Sequence, residues 1–167
     1  TGPIFEKTTF KYREAVEQVV RLLSLLNDED LRSIYGTSQE KSLAFHRQNQ
    51  DIFKSKCENA IMRYTGVVYE HIDWNSLSEK AKNYMEKYIY IFSGLFGLLT
   101  PNTPIPDYKL KMNVLSLQHH WNPILTDALK NEKVIIDLLP QVHRKAYSPI
   151  KKNIVLVDFL ILNKGKK

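Results

Sequence analysis

Cysteine occurs once in this chain, at Cys57, so no internal disulfide can staple it. With Lys56 and Glu58 beside it in a stretch read as polar helix, Cys57 fits a reducing compartment best. Long apolar runs are missing too. The longest, Tyr88 to Leu99, is broken by Ser93 and two glycines and is too short to cross a bilayer. No positively charged start leads into an apolar segment, and a cytoplasmic protein without membrane contact is expected. His46, His71, His119, His120 and His143 are scattered, with no Cys-x-x-Cys or His-x-x-x-His spacing, so no metal site is expected. Phosphate-cradling Gly-rich loops, a Gly-x-Ser-x-Gly elbow and paired carboxylates are all lacking, which leaves catalytic residues unassigned and implies no cofactor.

What is present is enough apolar material to fold. With 43% hydrophobic residues among 167, the chain can bury a core without staples, and a single domain over 1–167, acting as a monomer, is the expectation. The net charge of +6 is modest, but its distribution is uneven. Residues 1–80 carry 11 Lys/Arg against 12 Asp/Glu, whereas residues 81–167 carry 13 against 6. An excess confined to one half points to a face that meets phosphates or another anionic surface. For Lys151, Lys152, Lys164, Lys166 and Lys167, a solvated loop and tail is the favoured reading.

Apolar spacing from Tyr12 to Leu26 predicts a long first helix, and Asp28-Glu29-Asp30 opens a short second one. Thr37-Ser38-Gln39-Glu40 and Ser76-Leu77-Ser78-Glu79 are capping-box patterns, each expected to start a helix. A helix is also expected over about Ile52 to Tyr64, then an extended Val67-Val68-Tyr69. Tyr84, Tyr88 and Phe92 form a stripe expected to pack into the core, on a helix that stops at Gly94. Tyr108, Leu110, Met112 and Val114 alternate with Lys109, Lys111 and Asn113, predicting a strand with one apolar and one cationic face. Asn122-Pro123 reads as the start of a helix. Val134 to Leu139 and Ile154 to Leu162 read as central strands.

Chemistry concentrates in Ser93-Gly94-Leu95-Phe96-Gly97. Two glycines three apart can form a tight hairpin whose backbone N–H groups approach an anion such as phosphate. Lys109 and Lys111, on one face of the expected strand, stand about 6 to 7 Å apart and could reach successive phosphates. The alternatives are a plain C-cap and turn for the glycines, and a solvated sheet face for the lysines.

Four segments in order, Arg63-Tyr64-Thr65-Gly66-Val67-Val68-Tyr69, Leu77-Ser78-Glu79, Ile91 through Pro101, and Tyr108-Lys109-Leu110-Lys111-Met112, resemble the YaaA family of peroxide-stress proteins. His119-His120-Trp121 and Asp137-Leu138-Leu139 look like further family segments. The resemblance implies an α+β fold, helix-rich with a mixed sheet and a helix–hairpin–helix-like element. It also implies binding of double-stranded DNA and a role in limiting iron and peroxide damage; sequence-specific readout is not expected, since the sequence shows no Arg-rich recognition helix. The family's opening strand leading into Ser-Pro, and its basic closing segment, are expected to lie outside these residues. Carried over, the DNA contacts are Ser93, Gly94, Leu95, Phe96, Gly97, Tyr108, Lys109 and Lys111; beyond what the resemblance implies, Lys87 and Arg144 are expected as secondary cations. A rival reading is an enzyme acting on a nucleotide or small anion, with Gly94–Gly97 as its phosphate wall. An iron-sequestering protein, a third, would need carboxylate and histidine clusters that the sequence lacks.

Overall fold

The computed structural model describes residues 2–158, and its first helix, α1 (Arg13–Ser24), follows the predicted apolar stripe. Ala15, Val16, Val19 and Leu23 are buried; each of the larger three contributes roughly 1.5–3 kcal/mol by leaving water. Helix α2 (Leu31–Tyr35) starts after Asp30 and ends on Gly36, whose φ of 66° lies in the left-handed region. Helix α3 (Gln39–Gln50) is capped by Ser38, one residue later than the capping-box pattern places it, with the Ser38 hydroxyl accepting from the Lys41 N–H.

The expected helix over 52–64 is replaced by a 3-10 turn (Ile52–Lys54), strand β1 (Cys57–Asn59) and a one-turn helix α4 (Ala60–Arg63). Tertiary pairing overrides local pattern here: β1 runs antiparallel to β4 (Pro104–Pro106), which draws Cys57 into a buried strand. Val67-Val68-Tyr69 is helical, in α5 (Val67–Ile72), rather than extended; β-branched propensity yields to the turn at Gly66, whose carbonyl accepts from the Glu70 N–H.

Helix α6 (Glu79–Tyr88) is capped by Ser78 and ends six residues before Gly94. Strands β2 (Ile91–Ser93) and β3 (Gly97–Leu99) follow as an antiparallel hairpin, so strands, not helices, flank the two glycines. The expected core stripe is thereby split: Phe92 is buried on β2, while Tyr84 and Tyr88 are exposed. The alternating segment 108–114 is not a strand. Its burial still alternates, with Leu110 and Met112 inside and Lys109 and Lys111 in solvent, because apolar anchoring needs no ladder.

The chain falls into two compact units, Thr1–Leu117 and Gln118–Lys167. In the first, Phe5, Phe10, Phe53 and Phe96 form a ring cluster with centroids 5.3–5.9 Å apart. The Arg13 guanidinium lies over Phe5 and Phe53 and donates to the carbonyls of Phe5, Glu6 and Thr8, closing the N-terminal loop onto the cluster.

The second unit holds most of α7 (Leu117–Leu129), β5 (Ile135–Asp137), α8 (Gln141–Arg144) and β6 (Ile154–Leu156). Helix α7 begins before Asn122, and Pro123 lies inside it; Asn122 instead bonds the Lys145 carbonyl and Ser148. Strands β5 and β6 pair in parallel, and the rest of the predicted run to Leu162 lies outside the described residues. The described strands form three separate two-stranded ladders, not the single mixed sheet expected. Asp137 is buried, accepting from Tyr147 Oη at 2.6 Å and the Leu139 N–H at 2.8 Å, whereas its neighbours Ile136 and Leu138 are exposed. No helix among the described residues is long and apolar enough to cross a membrane.

Candidate functional site

Three of the singled-out segments converge in the first unit. Tyr64, just past α4, and Tyr108, in the extended segment after β4, are hydrogen-bonded through their hydroxyls at 2.8 Å. Tyr108 in turn meets Ser93 Oγ at 2.7 Å, and Ser93 Oγ accepts the N–H of Phe96 across the hairpin at 2.9 Å. The result is a continuous hydroxyl relay from Tyr64 to the hairpin backbone. Rings enclose it: Tyr69 stacks on Tyr64 at 5.3 Å, and Phe96 meets Tyr108 edge-on at 5.1 Å. Arg63 holds the corner by donating to the carbonyls of Ile105 and Lys56.

Burial raises the pKa of each phenol in the cluster. Tyr64 is held well above its ordinary value by desolvation and by neighbouring Tyr108; Tyr69 is pushed up to about 12 by the same two causes. Tyr108 is also raised by desolvation, opposed by its hydrogen bonds to Ser93 and Tyr64. Neutral phenols donate and accept hydrogen bonds but take up no proton near neutral pH. Ser93 is bonded to a neutral phenol and an amide, neither of which activates it as a nucleophile. The relay's chemistry is therefore positional: it holds three segments in one arrangement.

The hairpin itself faces inward. Ser93 is 1% exposed, Leu95 and Phe96 are fully buried, and Gly94 and Gly97 are buried as well. A Cβ on Gly94 would lie 2.5 Å from the Leu110 carbonyl oxygen, so glycine is needed there for close approach of the 108–112 segment. Gly97 is needed for another reason, its φ of 73°. These placements correct the expectation that residues 93–97 present amides to phosphate: the Phe96 N–H is already taken by Ser93, and a polymer cannot reach the others through the packed core. The phosphate wall of the rival enzyme reading loses its support for the same reason.

Lys109 and Lys111 behave as predicted in one respect, since both are exposed. What fixes their backbone is a residue without any sequence signal. Asn49, on α3 and fully buried, donates through Nδ2 to the Lys109 carbonyl at 2.8 Å and accepts the Lys109 N–H at its Oδ1 at 3.2 Å. One side-chain amide thus stands in for the neighbouring strand that the segment lacks. Asn49 also donates to Tyr35 Oη at 3.1 Å, and Tyr35 reaches His46 Nδ1 at 3.4 Å. Gln50 Nε2 and His46 Nε2 are hydrogen-bonded at 3.0 Å, and desolvation lowers the His46 pKa. Lys111 folds back toward the end of α2, where a Cβ on Gly36 would lie 2.9 Å from its Nζ.

The two secondary cations differ. Lys87, on α6, is exposed, its Nζ 5.1 Å from the Tyr88 ring centroid. Arg144, on α8, is committed: it pairs with Asp158 at 2.8 Å and Asp137 at 3.4 Å and donates to the Val157 carbonyl. Its positive charge is neutralised locally, which corrects its assignment as a phosphate contact. Among the described residues, no group of three or more His, Cys, Asp or Glu side chains is placed to hold a metal ion.

The fold and the cluster together define an α+β protein of short helices and two-stranded ladders, with a half-buried tyrosine–serine relay next to a solvent-exposed cationic segment. The chain belongs to the family described as peroxide stress protein YaaA, whose profile matches residues 2–167. It is 29% identical over 155 residues to an uncharacterized protein of Campylobacter jejuni, covering 87% of this chain and 62% of that one. It is 27% identical over 167 residues to a UPF0246 protein of Streptococcus pneumoniae strain CGSP14, covering 95% of this chain and 68% of the relative. A UPF0246 protein of Streptococcus pneumoniae strain 70585 is 27% identical over 153 residues, 86% of this chain and 63% of the relative. The chain therefore spans 62–68% of the length of these relatives.

Proposed function

We propose that this protein serves the peroxide-stress response in the cytoplasm by binding double-stranded DNA, without sequence preference, through Lys109 and Lys111. The observation that carries this reading is a cationic segment whose backbone is held at Lys109 by Asn49 and whose apolar residues Leu110 and Met112 are buried, while Lys109 and Lys111 are exposed. Cations on a held backbone lose less freedom on meeting phosphates than cations on a mobile tail. The excess of positive charge in residues 81–167 favours the same partner. Phosphate contacts of this kind carry no sequence information, and no arginine-rich recognition helix supplies any. Bound along the duplex, the protein would limit the access of iron and peroxide to it.

Fluorescence anisotropy with a labelled duplex across a salt series tests the proposal. Replacing Lys109 and Lys111 together by alanine should weaken binding and reduce the salt slope by about 0.9 for each phosphate no longer neutralised, roughly two in all. An unchanged affinity and slope would remove those lysines from the interface.

A further inference from the structure

Helix α6 carries a surface that the Lys109–Lys111 duplex reading does not explain, although one of its residues, Lys87, is expected as a secondary duplex contact. Its positions Lys80, Tyr84, Lys87 and Tyr88 follow one another at i, i+4, i+7 and i+8, which aligns them along one face. Tyr84 is 63% and Tyr88 55% exposed, a placement opposite to the core packing that helical spacing predicts. Their ring centroids are 4.7 Å apart, and Lys87 Nζ stands 5.1 Å from the Tyr88 centroid. Among the described residues no hydrogen bond engages either tyrosine hydroxyl.

The charges of α6 are sorted so that this face is positive. Its two acidic residues are occupied elsewhere: Glu79 pairs with Lys82 at 3.1 Å, and Glu86 accepts from the Thr100 hydroxyl and the Asn102 N–H. Lys80 and Lys87 are exposed and form no ion pair among the described residues. Two adjacent rings interleaved with uncompensated cations match a partner that is both flat and anionic. A duplex fits poorly, because its base faces are stacked inside and a convex helix presenting ring faces meets only its backbone. Unpaired nucleotides offer both parts at once, base faces for Tyr84 and Tyr88 and phosphates for Lys80 and Lys87.

We infer that the Lys80–Tyr84–Lys87–Tyr88 face of α6 is a stacking platform for single-stranded nucleic acid, separate from the Lys109–Lys111 segment. The two surfaces give the protein distinct grips on paired and unpaired strands.

The test is anisotropy with a fluorescein-labelled oligothymidylate and, in parallel, a duplex, using wild type, Tyr84→Ala with Tyr88→Ala, Tyr84→Phe with Tyr88→Phe, and Lys109→Ala with Lys111→Ala. The alanine pair should weaken single-strand binding by roughly 10-fold for each ring removed, while the phenylalanine pair, which keeps the ring faces, stays near wild type. Duplex affinity should follow the lysine pair and not the tyrosines, so each reading fails separately. Both tyrosines are exposed, and matching far-ultraviolet circular dichroism and Tm for the alanine pair confirm an intact fold. Single-strand affinity indifferent to the rings, or governed by Lys109 and Lys111 instead, would overturn the platform. So would phosphatidylserine vesicles binding through these tyrosines while oligothymidylate does not.

Discussion

Replacing Asn49 by alanine removes three hydrogen bonds from one buried side chain, two to the Lys109 backbone and one to Tyr35 Oη. Each bond contributes about 0.5–1.5 kcal/mol net when water re-pairs the partners, and more when a partner stays sealed without one. Lys109 is itself exposed, so water reaches part of the vacated backbone, and the expected loss is about 2–4 kcal/mol. Against a total of roughly 5–15 kcal/mol that is a large fraction. At about 2–4 °C per kcal/mol for a chain of this size, Tm falls by on the order of 4–16 °C. Urea denaturation followed by circular dichroism should show a lower midpoint with an unchanged m-value. Asn49→Asp sharpens the reading: it keeps an acceptor for the Lys109 N–H but loses both donated bonds and buries a charge, so it should destabilise at least as much at pH 7 and recover in part as the carboxyl protonates. The duplex affinity of Asn49→Ala should also fall, because the backbone at Lys109 is no longer held. A variant within about 0.5 kcal/mol of wild type would refute the claim that this amide substitutes for a strand, since ordinary surface changes already span that range.

Gly94→Ala places a methyl 2.5 Å from the Leu110 carbonyl oxygen and should lower Tm sharply, whereas Gly66→Ala meets no atom within 4 Å and suffers only from its φ of 120°; thermal melts of the two compare steric cost with backbone strain. Tyr147→Phe deletes the 2.6 Å bond to buried Asp137 and should cost about 1.5–3 kcal/mol in urea denaturation, the range for a bond to a charged group. Desolvation lowers the pKa of both His46 and His143, so the folded state binds their protons less readily than the unfolded chain. Their contribution to stability is fully present above the ordinary histidine value near 6.5 and is lost as pH falls through the folded pKa values. Tm measured from pH 8 to pH 5 should therefore drop on the acid side, and a double His→Gln variant should flatten that drop.

Local chemistry was legible wherever one helix's own pattern decides the outcome. The stripe of α1, the acidic opening of α2 and the presence of α3 and α6, though not their capping residues, all depend on neighbours three or four residues apart, and a reader of the chain sees those neighbours. The inward and outward alternation of Leu110, Met112, Lys109 and Lys111 was legible too, because side-chain polarity alone sets which residue leaves water. What the chain could not display is any contact between distant segments. Asn49 meets Lys109 across 60 residues, Tyr64 meets Tyr108 across 44, and β1 finds β4 more than 40 residues away. Such pairings decide whether a pattern becomes a strand, a helix turn or a bare extended segment. They also decided that the glycine hairpin lies in the core while the tyrosines of α6 stand in solvent, the reverse of what spacing predicts. Periodicity records which residues share a face; only packing chooses which face is covered, because that choice belongs to the elements that dock against it.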